Sequence, residues 1–213
     1  MYNTDIAMVS YRQFKRNCLV PSQNSLGIDV IERGTAIREL LLDEIVQNYV
    51  WNKLYRRKLF EGIRFPAGVI YDDINIMYDL IKKCNGIAYK DEAKYNYCLR
   101  ETGIISTNSH KKREDAMRSI YKRYLFVESD FPSLKQYNAY SFTLWMIRLY
   151  VFTVIENDLD DDFLKIRRTL LQKIYDNNFT FIISKLKPKK RIVLLAMLWD
   201  WEKGKDIVKN LYE

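Results

Sequence analysis

The sequence predicts an α/β front followed by an all-helical rear, and three observations carry that expectation. Short apolar runs of strand character alternate with amphipathic helical patterns as far as about residue 100, and beyond it every apolar pattern has the helical period. Seven Gly and four Pro in 213 residues are too few for long flexible linkers, and 48% hydrophobic residues can fill a real core. The expected division is therefore 1–108, α/β, and 109–213, helical.

Taken in order, residues 5–11 are short and apolar, which suits a buried strand. In 35–46, Ile37, Leu40, Leu41 and Ile45 recur at helical spacing while Arg38, Glu39, Asp43 and Glu44 fill the other face, which predicts an amphipathic helix. Residues 50–55 read as a strand, and Phe65-Pro66-Ala67-Gly68 as a turn that aims the next segment. From Asp72 onward, Ile74, Met77, Tyr78 and Ile81 stand at i, i+3, i+4 and i+7, predicting a helix that stops near Asn85-Gly86 with Asp72 and Asp73 at its start. Two strands, 86–89 and 93–99, are expected around the turn Lys90-Asp91-Glu92. Helices follow near 111–128, 134–157, 161–176, 178–186 and 189–212, and the one near 134–157, apolar on most sides, is expected at the centre of its bundle.

Composition excludes several classes. Cys18, Cys84 and Cys98 lack metal-site spacing and cannot pair completely, so a reducing, cytoplasmic location is expected, in keeping with an N-terminus that does not read as a signal peptide. The longest apolar stretches, 142–155 (broken by Arg148) and 192–199, fall short of the ~20 residues that span a bilayer. The net charge of +8 suits phosphate-bearing ligands or an anionic lipid surface. No recognised nucleic-acid motif is present, so nucleic acid is not an expected partner.

Candidate chemistry starts at the acidic pair. A carboxylate at a helix start is held by the helix dipole and can act as a general base, and it can equally be a plain cap. Trp51, Tyr95 and Tyr97 offer flat faces on which sugars stack, or pack as core aromatics; Lys53 can solvate a strand edge. Arg100 carries five fixed donors suited to a diphosphate or an acidic acceptor. Asp160-Asp161-Asp162 has the letters of a metal motif but fits an acidic first helical turn better.

In succession, Trp51-Asn52-Lys53-Leu54-Tyr55, Arg64-Phe65-Pro66 with Gly68, Tyr71-Asp72-Asp73, and Tyr95-Asn96-Tyr97 with Arg100 resemble the C-terminal part of bacterial family 2 glycosyltransferases, over roughly 1–108. The resemblance implies a partial GT-A (Rossmann-like) domain without its nucleotide-binding half, followed by the helical region. It implies inverting transfer of a sugar from a nucleotide-sugar donor to a saccharide or lipid-linked acceptor in surface polysaccharide synthesis. Asp73 then matches the catalytic base, Trp51, Lys53, Asp72, Tyr95, Tyr97 and Arg100 the acceptor side, and His110, the sole histidine, a ligand of a divalent metal, Mg or Mn. The pattern is broken where Asp72 replaces Glu, Cys98 an aromatic residue and Gly103 a Ser.

The family's donor half, with Asp-Asp-Gly-Ser and Asp-x-Asp segments, is expected ahead of the acceptor half; ahead of Trp51 neither segment occurs, and Asp160-Asp161-Asp162 is read as a helical first turn. The expectation is a chain inactive alone, with 5–11 an open apolar strand edge that pairs with a donor-half chain or a second copy. The alternative is a non-catalytic interaction protein derived from a transferase. Lys185, Lys187, Lys189, Lys190 and Arg191, with Trp199 and Trp201 as interfacial anchors, suggest contact with the inner face of a membrane.

Overall fold

The computed structural model describes residues 3–15, 18–19, 27–98, 110–156, 166, 169–174 and 176–212. It is a mixed α/β protein that divides into two compact units, Met1–Ser119 and Ile120–Glu213. The division expected after residue 108 falls in 99–109, outside the described residues.

The first unit is built on β1 (Ile6–Lys15), β2 (Cys18–Leu19), β3 (Asp29–Ile31), β4 (Lys53–Tyr55) and β5 (Ile87–Cys98), with α1 (Arg33–Leu42) and α2 (Asp72–Lys83). β5 runs parallel to β1 on one side and antiparallel to β3 on its other, while β4 and β2 pair antiparallel with the two ends of β1. The expected open edge at 5–11 is therefore corrected: β4 takes Ile6–Met8 on the side away from β5, because the chain after α1 returns to β1. Ile6, Met8 and Ile87 of the sheet are buried together with Ala36, Ile37 and Leu40 of α1 and Met77, Leu80 and Ile81 of α2, the positions the helical periods marked.

α1 begins and ends earlier than its apolar period suggests, because Asp43 adopts a left-handed conformation (φ 58°) that stops it. The two strands expected around Lys90-Asp91-Glu92 are one, β5, since its pairing with β1 continues through a bulge: Val9 faces Lys90 and Ser10 already faces Ala93. Gly68, at φ +72°, provides the turn before α2 that L-residues resist. Asp5 ties the opening of β1 down: its carboxylate accepts from the Asn85 amide at 3.0 Å and meets Lys58 and Arg56 at 3.0 and 3.2 Å. Those contacts, the Asn85 amide foremost, hold it below the usual carboxylate range.

The second unit contains α4 (Lys135–Ile155) and its neighbours α5 (Phe179–Lys185), α6 (Pro188–Trp199) and α7 (Trp201–Tyr212); α3 (His110–Asp130) has residues in both units. α4 is central as expected, burying residues on all sides, and its polar ones bond internally, as when Thr143 and Thr153 donate to the carbonyls four residues back, each at 2.8 Å. The helix expected over 189–212 is two, because Asp200 leaves helical geometry and its carboxylate accepts the Lys203 amide at 3.2 Å, capping α7. Of the helix expected over 161–176, residues 169–174 are helical and 161–165, with Asp160-Asp161-Asp162, lie outside the described residues. No helix among the described residues is long and apolar enough to cross a membrane.

Candidate functional site

Asp72 and Asp73 are the first two residues of α2. Their carboxylates accept from successive amides, Asp72 Oδ1 from the Asp73 N–H at 2.9 Å and Asp73 Oδ1 from the Ile74 N–H at 2.7 Å. Part of the capping alternative is thus realised. Yet Asp73 is more than a cap, because burial, with Asp72 adding to it, pushes its carboxyl up to about 6 against the pull of the Ile74 amide and the Lys53 charge. At neutral pH such a group is mostly ionised and strong enough as a base to take a proton from a hydroxyl in a transition state.

Lys53 on β4 is the cation that Asp73 senses. Only 7% exposed, it is no strand-edge solvator; its Nζ donates to Gln47 O, Tyr49 O and Asn52 Oδ1 at 2.9, 2.5 and 2.8 Å. Three acceptors match the three N–H bonds of an ammonium. Burial nonetheless pushes its pKa down to about 7, with Asp73 acting the other way. Tyr55, two residues on, also feels the Asp73 charge, and its phenol is pushed up, first by burial.

Beside this pair stands an aromatic stack. Trp51 is its hub: the rings of Tyr49, Tyr95 and Tyr97 stack on it at 4.9, 4.5 and 5.0 Å between centroids, and Tyr11 meets it edge-on at 4.8 Å. The faces of Trp51 are therefore engaged within the protein, and the ring offered outward is Tyr95, 37% exposed. The Tyr49 carbonyl that holds Lys53 belongs to the same residue that stacks on Trp51, which links stack and charged pair through a few covalent bonds.

Tyr11 and Asn52 also line a cleft of about 220 Å³. Inside it the β5 bulge turns Asp91 toward β1, where its Oδ1 accepts from the Ser10 hydroxyl and, at 3.0 Å, from the Tyr89 hydroxyl. Ser10 Oγ and Tyr89 Oη lie 2.8 Å apart, and Glu44 also lines the cleft. Hydroxyls, carboxylates and an amide around an aromatic edge are the donors, acceptors and apolar patch that a polyhydroxylated ligand uses.

Asp72, Asp73, Trp51, Lys53, Tyr95 and Tyr97 thus belong to one unit, with Lys53 coupled to Asp73 and the aromatics gathered on Trp51. Arg100 lies outside the described residues. His110 is the first residue of α3 and exposed. Among the described residues no three His, Cys, Asp or Glu side chains stand together as metal ligands. Sequence reasoning missed Tyr11, Tyr49, Tyr55, Asn52 and the Ser10, Tyr89, Asp91 group. The alternation Tyr49, Trp51, Lys53, Tyr55 was a usable signal for the second and third, whereas Tyr11 and Asp91 arrive only through the β1–β5 register. No protein-family model matches this sequence, and no curated protein matches it.

Proposed function

We propose that the first unit is the acceptor side of an inverting, GT-A-type glycosyltransferase of the family 2 kind, with Asp73 as its base. The observation that supports this reading is the half-buried Asp73, raised to about 6 at the start of α2 and sensing the charge of Lys53. An acceptor saccharide occupies the Ser10, Tyr89, Asp91 cleft and lies against Tyr11 and Tyr95. Asp73 removes the proton of the attacking hydroxyl; the oxygen bonds to the anomeric carbon of a nucleotide sugar, and the bond to the diphosphate breaks, the electron pair leaving with the nucleoside diphosphate. Proton removal of this kind contributes roughly 10²–10⁴-fold. The donor is held by a nucleotide-sugar-binding segment acting with these residues, and the acceptor is a saccharide, free or lipid-linked.

The test is to supply the chain with a donor-binding segment of a family 2 enzyme, Mg or Mn, and a panel of nucleotide sugars and acceptors. Acceptor-dependent release of nucleoside diphosphate is expected, lost in Asp73→Asn. Silence across the whole panel, or turnover that Asp73→Asn leaves intact, would end this reading.

A further inference from the structure

α6 has two unlike faces. Val193, Leu194, Ala196 and Met197 are buried, while Ile192, Leu195 and Trp199, at i, i+3 and i+7, form an apolar stripe turned to solvent, with Trp199 71% exposed. Between residues 177 and 199 there are five basic residues, Lys185, Lys187, Lys189, Lys190 and Arg191, and no acidic one. Cations crowd at the N-terminal end of α6: Lys190 is pushed down by burial and then by the charges of Arg148 and Lys187. At the other end, Lys203 Nζ lies 5.6 Å over the Trp199 ring. Trp201, expected as a second anchor, is instead buried, its ring 4.2 Å from that of Tyr150.

We propose that α6 docks on an anionic lipid surface, with Ile192, Leu195 and Trp199 entering the headgroup boundary and Lys185, Lys187 and Lys189 meeting the lipid anions. Charge complementarity selects this occupant. A second copy seated symmetrically would set one basic cluster against another, and a nucleic acid would leave the apolar stripe unused. An amphipathic helix with a tryptophan and lysines at its rim suits an interface in which apolar groups sink ~5–10 Å while ammonium groups stay with the phosphates. This inference stands independently of the transferase reading.

The experiment is co-sedimentation of the full chain with phosphatidylcholine vesicles, with and without phosphatidylglycerol. Binding is expected only with the anionic lipid and weakens in ~1 M salt, where charges are screened beyond ~3 Å. Lys187→Gln with Lys189→Gln should lower partitioning about 25-fold, roughly fivefold per basic residue. Leu195→Ser with Trp199→Ser should lower it at least ~10-fold while circular dichroism stays unchanged, both side chains being exposed. Failure to bind anionic vesicles, equal binding to neutral ones, or an undiminished Ser double variant would overturn the proposal. So would a dimer in the absence of lipid that the Ser double variant dissolves, or binding to RNA or DNA without binding to vesicles.

Discussion

The two units place their polar side chains in opposite ways. In the second, buried polar groups are consumed locally: Thr143 and Thr153 bond to their own helix, Asn138 Nδ2 to the Tyr124 carbonyl at 2.9 Å, and the Tyr150 hydroxyl to the Trp201 carbonyl at 2.8 Å. The last two of these bonds join helices. In the first unit, the buried Lys53 and the half-buried Asp73 are ionisable groups with displaced proton affinities, and the same unit carries a cleft and an outward tyrosine. Titratable groups with displaced proton affinities mark candidate functional sites. The contrast is between a unit that holds ionisable groups with displaced proton affinities and one whose α6 exposes an apolar stripe beside basic residues.

That contrast breaks most visibly under substitution. Asp73→Asn should cost roughly 10²–10⁴-fold in any turnover, while its stability at pH 7 does not fall and rises where the desolvated carboxylate was ionised, as chemical denaturation would read. In the second unit the pattern reverses with Gly204→Ala. A Cβ there would sit 2.7 Å from the Tyr150 hydroxyl and 3.0 Å from the Ala196 carbonyl, so a loss of about 1–3 kcal/mol is expected in thermal unfolding, with no change in the affinity of the first unit for saccharides.

Next in size is the pH dependence of stability. Asp73 is raised from 3.8 to about 6 in the folded protein, so the folded state binds the proton more tightly and stability falls as pH rises between those values. Lys53 is lowered from 10.5 to about 7, so above pH 7 the unfolded chain keeps a proton that the folded one has lost, and stability rises toward pH 10.5. Subtracting the Asp73→Asn and Lys53→Met profiles from the parent's should isolate the falling and the rising limb respectively. The smallest effect is at Gly68: its φ of +72° makes Gly68→Ala cost about 1–2 kcal/mol with open space around the new methyl, a loss of backbone origin alone.

Much of the fold was legible because local periods decide it. The apolar spacing of Ile74, Met77 and Ile81 fixed α2, and the acidic pair falls at its first turn as the sequence indicated. The paths of β4 and β2 were not legible, since strand pairing depends on partners dozens of residues away; that is why 5–11 read as an edge although β4 covers it. Asp200 between Trp199 and Trp201 was a readable cap, overlooked because the apolar pattern continues across it. Within the site, the residue types of Asp73, Lys53, Tyr95 and Tyr97 were visible, but the burial that tunes the two charges is a property of the assembled sheet and helix. The Asp91 hydrogen bonds exist only because β5 bulges opposite Ser10.

The central claim is that Asp73 is a half-buried base whose carboxyl is raised to about 6. Its carboxyl carbon can be followed by NMR through a pH titration of the intact chain, with Asp73→Asn assigning the signal. A midpoint near 6 is predicted, moving upward in Lys53→Met as the neighbouring cation is removed. A midpoint at or below the ordinary 3.8, indifferent to Lys53→Met, would make Asp73 a simple helix cap and contradict the account.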